Sequence, residues 1–277
     1  MKIFVTGGTG FIGSHFLNAA LSARHDVVAL RRAEKARPRI LLDKEPHWLT
    51  KKILEVTVED FQGCDCLVHF VAAGISPQMA TWAELFDVNL VQSLNLWMKA
   101  VDAGVGRFVI CGSCFEYGKS GEMHDFIPVD APLMPINGYG ASKASASIAA
   151  LALAKERSLQ LAILRPFHAY GEGQHESNFW PSLRKAALRS ENFLMTAGEQ
   201  VRDFQLVQDI AANFLYVVEC ADLQPGIPIV KNLGSGQPQK LKDFALRVWT
   251  QLNAKGTLQL GSLPYRANEV MRYVPQI

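Results

Sequence analysis

The chain has few cysteines and little net charge. Its 277 residues include five cysteines, and 28 basic against 26 acidic side chains leave a net charge of +2 at pH 7. An odd and sparse set of cysteines does not suit a secreted disulfide framework, so we expect reduced thiols. Cys111 and Cys114 follow a predicted strand and do not open a helix, so we predict neither a redox role nor a metal site. A charge this close to zero does not predict a nucleic-acid partner.

Long apolar runs and internal repeats are also missing. No stretch has enough consecutive apolar residues to span a bilayer, and residues 1–6 lead directly into glycines instead of into a signal-peptide core. We therefore predict a cytoplasmic protein without a membrane partner. The composition is 49% hydrophobic, and a chain of this length can bury one large core.

Short β-branched or apolar runs alternate with longer amphipathic stretches. Strands are predicted at Lys2 to Thr6, Asp26 to Leu30, Leu54 to Val58, Cys66 to Val71, Arg107 to Cys111 and Leu161 to Arg165, and helices at Ser14 to Ala23, Trp82 to Ala103 and Ala141 to Ser158. The strands have the composition of buried parallel strands, and the helices are long enough for crossovers. The alternation predicts an α/β fold with a doubly wound parallel sheet of the Rossmann type.

The alternation of strands and helices becomes less regular after Pro166, where glycine, proline and polar residues become frequent. We predict that residues 1–166 together with 205–235 form a dinucleotide-binding domain. Residues 167–204 together with 236–277 are expected to form a smaller, partly interleaved C-terminal lobe that binds the substrate.

A glycine-rich segment lies between the first strand and the first helix. Gly7, Gly10 and Gly13 lack the Cβ atoms that would block a tight turn, the approach of a pyrophosphate and the packing of helix on strand. The helix that follows directs its first N–H groups at the phosphates. We therefore predict a dinucleotide site here, which also includes Phe11 and Ile12.

The end of the second strand indicates which dinucleotide is bound. An NAD site usually has an acidic residue there, which binds the adenosine ribose and repels a 2′-phosphate. Here the strand ends in Arg31 and Arg32, and guanidinium groups favour a phosphate through charge-assisted hydrogen bonds. NADP(H) is therefore the favoured cofactor and NAD(H) the alternative. A solvated basic loop without a binding role is the other interpretation.

Ser113, Tyr139 and Lys143 form the second candidate site. Tyr139 and Lys143 are four residues apart and share one face of a helix. Reduction of a ketone requires a proton for the developing alkoxide, which a tyrosine hydroxyl can donate. A free phenol has a pKa of about 10, and we expect the ammonium of Lys143 to lower it and also to hold the nicotinamide ribose. Ser113 would donate a further hydrogen bond to the oxyanion, so the three residues indicate a nicotinamide-dependent oxidoreductase.

Several separated segments make the chain similar to one family, the extended short-chain dehydrogenases/reductases that act on nucleotide sugars. His69 to Ala72 resembles the strand end that passes along the cofactor, which implies contacts from Val71 and Ala72. Asn89 lies where the family has its helix asparagine. The segment from Ile163 to Gly171 resembles the one that passes the nicotinamide carboxamide, which implies a contact from Pro166.

The resemblance extends to the substrate side. The segment from Gly198 to Phe204 is similar to one whose arginine binds the sugar-nucleotide pyrophosphate, which implies this role for Arg202. Arg266 and Glu269 match a later arginine for phosphate and an acidic residue for the nucleotide ribose, and Asn178 is also expected to contact substrate. A nucleoside-diphosphate sugar is the implied partner, since a diphosphate needs guanidinium groups. Two solvated surface arginines are the alternative interpretation.

The residues after Ser113 reduce the number of reactions that the chain is expected to catalyse. Dehydratases of the family have an aspartate and a glutamate there, whereas this chain has Cys114 and Phe115, and the side chain of Glu116 is expected to point elsewhere. Dehydration is therefore not predicted. Segments such as Leu241 to Phe244 look most like reductases of nucleotide-linked 4-keto-6-deoxyhexoses, which is the predicted activity. A nucleotide-sugar 4-epimerase with tightly bound NAD and a non-catalytic dinucleotide-binding regulator stay open.

The family resemblance also bears on assembly. Its members pair through the helices that match Trp82 to Ala103 and Ala141 to Ala154, so a homodimer is expected, with packing inside one monomer as the alternative. The chain ends before the strand-and-helix tail with which family members close. We therefore expect either that the substrate lobe is shortened at its C-terminal end or that another element replaces the tail.

Overall fold

A computed structural model describes residues 1–75, 79–266 and 269–277. The strands, in chain order, are β1 (Lys2–Thr6), β2 (Asp26–Arg31), β3 (His47–Thr50), β4 (Cys66–His69), β5 (Arg107–Cys111), β6 (Gln160–Pro166), β7 (His168–Tyr170), β8 (Phe193–Leu194), β9 (Val201–Leu206), β10 (Ile229–Leu233), β11 (Pro238–Lys240), β12 (Leu258–Gln259) and β13 (Arg272–Tyr273).

The α-helices lie between these strands. They are α1 (Phe11–Ser22), α2 (Trp82–Phe86), α3 (Ser93–Asp102), α4 (Gly138–Glu156), α5 (Phe179–Leu188), α6 (Val207–Glu219) and α7 (Leu241–Gln251), with a π-helical segment at Asp87–Gln92 and 3₁₀ turns at Ile53–Glu55, Glu59–Phe61, Cys114–Glu116 and Lys119–Met123. Among the described residues, no helix is long and apolar enough to cross a bilayer.

The largest sheet of the described residues has seven strands in the order β10-β6-β5-β4-β1-β2-β3, and every pairing in it is parallel. Its central strands β1, β4, β5 and β6 are buried along nearly their whole length, because helices cover both faces. In β1, Ile3 and Val5 face α1 and α6, whereas Phe4 faces α3 and α4, as the alternation of side chains in a strand requires. The predicted doubly wound parallel sheet is confirmed.

The strand predicted at Leu54 to Val58 is wrong. The outer strand is β3, eight residues or so earlier, and it pairs with β2. Side-chain carboxylates bind backbone donors in and just before the predicted segment: that of Asp60 accepts from the Thr57 N–H at 2.8 Å, and that of Glu55 accepts from the Lys52 N–H at 2.8 Å. These local hydrogen bonds compete with sheet pairing and turn the chain.

The helix predicted from Trp82 to Ala103 forms, but its middle is π-helical. At the end of this segment, the hydroxyl of Ser93 donates to the carbonyl of Val88 at 2.9 Å, five residues earlier. Such segments often occur at functional sites, and this one holds Asn89. The predicted strand from Cys66 to Val71 is two residues too long, since β4 ends at His69.

The chain after β6 forms two small sheets and a pair of packed helices. β11, β9 and β13 form a small sheet to which β7 is added, and β8 pairs with β12. α5 and α7 pack together around Leu183, Met195 and Phe244. β10 then returns to the large sheet beside β6. The boundaries of the two predicted domains stay a prediction.

Candidate active site

The glycine-rich turn has the geometry of a dinucleotide cradle. Gly7 has φ +71°, and a Cβ there would lie 2.8 Å from the Val71 nitrogen; a Cβ on Gly13 would lie 2.2 Å from the Gly7 carbonyl oxygen. Only glycine fits either position. Among the described residues, no side chain caps the N-terminus of α1, which begins at Phe11 and Ile12, so its N–H groups are available to an anion. The residues present therefore fit a bound dinucleotide.

The end of β2 borders a cavity of about 300 Å³. Arg31 lies in its wall: its Nε donates to the Thr50 hydroxyl at 2.9 Å, and its guanidinium stacks 5.3 Å from the centre of the Trp48 ring. Glu45, which accepts from the Trp48 indole, brings a carboxylate to the same cavity. Arg32 is exposed. Of the two predicted arginines, the structure thus puts only Arg31 in the lining of this cavity.

Asn89 is 2% exposed and uses its side chain to hold other parts of the site. Its Oδ1 accepts from the Ala73 N–H at 2.7 Å, and its Nδ2 donates to the Ala73 carbonyl at 3.2 Å and to the Ser142 hydroxyl at 2.9 Å. These bonds tie the segment after β4, which includes Val71 and Ala72, to α4. We expect Asn89 to act on a cofactor through that segment.

His69 is a buried residue whose role the sequence analysis missed. The Ser93 hydroxyl donates to a carbonyl, so it accepts from His69 Nε2 at 3.0 Å. The Nδ1 of His69 must then accept from the Thr6 hydroxyl at 2.9 Å. Burial, followed by the charge of Lys143, lowers the pKa of His69 to about 3. The imidazole is therefore a neutral structural link between β1, β4 and α3, and the signal for it was a histidine at the end of an apolar strand.

Ser113 and Tyr139 lie next to each other at the carboxyl end of the large sheet. Ser113 follows β5, and its Oγ accepts from the Phe115 N–H at 3.2 Å, which leaves the hydroxyl proton free to be donated. Tyr139 lies in the first turn of α4, which Asn137 caps by accepting from the Gly140 N–H at 2.8 Å. The Ser113 side chain lies close enough to the phenol of Tyr139 to affect its pKa.

Lys143 is buried one helical turn after Tyr139, and its Nζ donates to the Cys111 carbonyl at 2.6 Å. Burial raises the pKa of Tyr139 above its usual value, and the Ser113 side chain opposes this only in part. The expected lowering of this pKa by Lys143 is therefore not found, because desolvation outweighs any stabilisation of the phenolate. The phenol is protonated at neutral pH, which is the form that can donate a proton.

Glu116 and Arg165 form a buried ion pair behind Ser113. Glu116 is fully buried, and its carboxylate accepts from the Ser113 N–H at 2.8 Å and from Arg165 Nε at 2.9 Å. Each of the two carboxylate oxygens is therefore engaged by one of these donors, and the predicted orientation of this side chain away from the reacting groups stays a prediction. Arg165 itself was missed: it lies beside Pro166, which is buried at the end of β6.

The predicted substrate residues are only partly brought together. Arg202, on β9, donates through Nη2 to Glu269 at 2.9 Å and to the Val270 carbonyl at 2.6 Å. Arg266 is exposed, and its carbonyl accepts from the Glu269 N–H at 3.0 Å; residues 267 and 268, which the resemblance includes, lie outside the described residues. Asn178 precedes α5, half-buried, and its carbonyl accepts from the Ser182 N–H. Arg202 and Glu269 thus bind each other.

The cradle at α1, with Ser113, Tyr139 and Lys143 at the carboxyl end of the same sheet, defines an enzyme of the extended short-chain dehydrogenase/reductase type. More particularly, the chain belongs to the NAD dependent epimerase/dehydratase family, whose model matches residues 3–230. The predicted fold class and family are confirmed.

Named relatives of the chain catalyse different reactions. It is 28% identical over 267 residues to a UDP-glucose 4-epimerase of Corynebacterium glutamicum, covering 87% of this chain and 78% of the relative. It is 27% identical over 257 residues to a GDP-6-deoxy-D-mannose reductase of Pseudomonas aeruginosa, and the alignment covers 88% of this chain and 77% of the relative. The solved structure of MoeE5 in complex with UDP-glucose and NAD is 25% identical, with a TM-score of 0.83 over 100% of this chain and 90% of the other.

Proposed function

We propose that the protein reduces the 4-keto group of a nucleotide-linked 4-keto-6-deoxyhexose and uses NADPH as the reductant. The observation that carries the proposal is the protonated phenol of Tyr139 beside a Ser113 hydroxyl whose proton is free for donation. A ketone oxygen that accepts from both groups gains its proton from the first and is stabilised as an oxyanion by the second.

The dihydronicotinamide, when bound, supplies the hydride to the carbonyl carbon. Tyr139 then gives its proton to the oxygen, which becomes the hydroxyl of the product. Lys143 keeps a positive charge close to the site, since its Nζ is held at the Cys111 carbonyl, and this charge stabilises the phenolate that remains after the transfer. The protein's own contribution is a positioned acid, a second donor and a fixed cation.

The surroundings of Ser113 disfavour dehydration. Cys114 and Phe115 carry no carboxyl group, and the carboxylate of the next residue, Glu116, is occupied by Arg165 and the Ser113 N–H. A carboxylate held in a buried ion pair is not available to abstract or deliver the protons of an elimination. A reduction needs no such group.

The choice of NADPH is based on Arg31. Its guanidinium lies in the wall of the cavity at the end of β2, where it could approach a 2′-phosphate. The carboxylate of Glu45 at the same cavity acts in the opposite sense, because it would repel the phosphate. Comparison of KM for NADPH and NADH tests this part of the proposal, and a clear preference for NADH would contradict it.

The diphosphate of the substrate is proposed to bind near Arg202 and Arg266. Arg202 is at present bound by the carboxylate of Glu269, so an incoming diphosphate would replace that carboxylate as the partner of the guanidinium. Glu269 would then be free to accept from a nucleotide ribose hydroxyl. The reductase relative from Pseudomonas aeruginosa supports a substrate of this class.

The direct test is to incubate the protein with 4-keto-6-deoxyhexoses linked to different nucleoside diphosphates, together with NADPH, and to follow the absorbance of the reduced cofactor. Stoichiometric oxidation that depends on the keto sugar is the expected result. Tyr139→Phe, with unchanged cofactor binding, is the matched control. No oxidation with any of the nucleotides would overturn the proposal.

Epimerisation is the second candidate, because the same serine, tyrosine and lysine serve it and because one relative is a UDP-glucose 4-epimerase. An epimerase returns the hydride that it removes and retains its NAD. Interconversion of sugar nucleotides without net cofactor oxidation would therefore favour it. Bound dinucleotide without any turnover, unaffected by Tyr139→Phe, would instead indicate a non-catalytic binding protein.

We further propose a homodimer that pairs through α3 and α4. A shallow apolar concavity of about 530 Å³ lies between α4 on one side and α3 with the preceding π-helical segment on the other, and its lining includes Val91 and Ile148, whose exposed fractions are 51% and 59%. An exposed apolar surface of this kind is typical of an interface. Light scattering should give twice the monomer mass, and Ile148→Asp should reduce it to that of one chain.

The cytoplasmic location stays a prediction, with which the five free thiols agree.

A further inference from the structure

We propose that Glu116 is a positioning residue for Ser113: its carboxylate, fixed by Arg165, holds the serine in the orientation in which the hydroxyl can donate to the substrate. Neither residue touches the reacting atoms. The inference rests on the proposed reduction, in which Ser113 is a donor to the ketone oxygen.

The first step of the argument is the local geometry of Ser113. Its backbone is extended, with φ −157° and ψ 142°, and its N–H donates to Glu116 Oε1 at 2.8 Å. In return, the Ser113 Oγ accepts from the Phe115 N–H at 3.2 Å. These two bonds form a capping box around the short 3₁₀ turn at Cys114–Glu116. They determine the position of the hydroxyl oxygen and leave its proton for another acceptor.

The second step is the way in which the carboxylate is held. Arg165 donates through Nε to Glu116 Oε2 at 2.9 Å, across 49 residues of sequence, and the two side chains are 4% and 0% exposed. The same guanidinium donates to the Tyr117 hydroxyl at 2.8 Å. That hydroxyl donates in turn to Asn232 Oδ1, on β10, at 2.7 Å. The carboxylate is thus anchored to β6 and β10 of the large sheet.

The third step is the close approach of the Glu116 and Arg165 side chains to the backbone of Gly112. A Cβ on Gly112, the residue before Ser113, would lie 2.9 Å from Glu116 Oε1 and 2.9 Å from the Arg165 Cγ. A side chain there would push the carboxylate and the guanidinium away from Ser113. On the other side of the turn, the Tyr273 hydroxyl donates to the Cys114 carbonyl at 2.8 Å. The segment that carries Ser113 is therefore held from two directions.

The energetic argument favours positioning over stability. A buried ion pair contributes little net stability, because its desolvation offsets the attraction between the charges. An apolar pair of similar volume would fill the same space, but it would leave the Ser113 N–H without an acceptor. The Glu116 carboxylate provides an acceptor at a fixed position for the Ser113 N–H. Because the backbone of Ser113 is held there, its hydroxyl is pre-organised as a donor to the substrate.

The experiment compares Glu116→Leu and Glu116→Gln with a matched control, Asp60→Asn. Asp60 also belongs to an ion pair, partly buried, with Lys51 at 2.7 Å, and it also accepts from a backbone N–H, but it lies far from Ser113 in sequence. We expect kcat to fall about tenfold or more in Glu116→Leu and less in Glu116→Gln, with KM for NADPH within about twofold, because loss of one oxyanion donor costs about 10²- to 10³-fold. A kcat for folded Glu116→Leu within twofold of that of the Asp60→Asn control would overturn the proposal.

The same variants are then made in a Ser113→Ala background. If Glu116 acts through Ser113, Glu116→Gln should lower kcat in the parent protein and leave it unchanged in Ser113→Ala. A purely structural role would lower kcat in both, and that result would contradict the proposal. Glu116→Gln keeps the side-chain volume and an acceptor oxygen, so it provides this test even where Glu116→Leu does not fold.

A readout that needs no substrate separates this inference from the proposed function. The amide hydrogen of Ser113 is protected by Glu116, so we expect its exchange, followed by nuclear magnetic resonance, to accelerate about tenfold or more in Glu116→Leu and not in Asp60→Asn. Faster exchange together with an inactive parent protein would refute the proposed reaction and leave the positioning role standing. Unchanged exchange would refute the positioning role, whatever the reaction proves to be.

Discussion

The reaction centre and the arginines expected to bind phosphates are built in opposite ways. Ser113, Lys143 and Asn89 are at most 6% exposed, and each makes hydrogen bonds that fix it within the sheet and its helices. Arg31 and Arg202, in contrast, lie at partly exposed edges and are held by partners that a ligand could replace. The difference indicates a rigid centre for chemistry and an adjustable surface for binding, so substitutions in the first should lower kcat and those in the second should raise KM.

The largest effect is expected for Tyr139→Phe. The variant retains the ring and its packing against Phe115 but cannot donate a proton, so kcat should fall about 10²- to 10⁴-fold. Calorimetry should show nearly unchanged binding of NADPH. Tyr216→Phe, at an exposed position on α6, is the control and should keep full activity. Normal turnover of Tyr139→Phe would disprove its assignment as the acid.

Arg202→Gln should have the next largest effect and the opposite kinetic signature. A hydrogen bond to a charged group contributes roughly 1.5–3 kcal/mol, so KM for the sugar nucleotide should rise about tenfold or more, with a smaller change in kcat. Arg247→Gln, on the exposed face of α7, should leave both constants unchanged. If Arg202→Gln lowered kcat and left KM unchanged, the contrast between the two regions would be wrong.

Arg31→Leu should have a moderate effect. An ion pair at a solvent-exposed position contributes about 1 kcal/mol or less, so we expect KM for NADPH to rise several-fold and KM for NADH to stay the same. Arg157→Leu, at an exposed position just after α4, serves as the control. An equal rise for both cofactors would show that Arg31 supports the cavity and does not select for the 2′-phosphate.

The smallest effect is a shift of the pH profile in Glu116→Gln. Burial raises the pKa of Tyr139, and so do the negative charges of Glu116 and of Cys111 and Cys114 in their thiolate forms. Reduction needs the protonated phenol, so the rate falls as pH rises through this pKa. Removal of the Glu116 charge lowers the pKa, and the alkaline limb of the kcat profile should move to lower pH. A move to higher pH, measured beside Asp60→Asn, would contradict this electrostatic assignment.

The parts of the site that the sequence predicted are those whose signal is local. Gly7, Gly10 and Gly13 follow one strand directly, and Tyr139 and Lys143 are one helical turn apart, so chain geometry alone puts them in useful positions. The ion pair of Glu116 with Arg165 was not predicted, because 49 residues separate its members and nothing in either segment indicates the other. The position of β3 was not predicted either, because side-chain hydrogen bonds around Asp60 compete with the apolar pattern.

By itself, the sequence determined the α/β class, the family and the identity of the candidate acid, because these depend on periodicity and on motifs within a few residues. Only the tertiary structure decided the protonation state of Tyr139, the neutral tautomer of His69 and the partner of Arg202, because these depend on burial and on charges that distant segments bring together. Desolvation, in particular, is a property of the packed molecule and has no counterpart in the order of the residues.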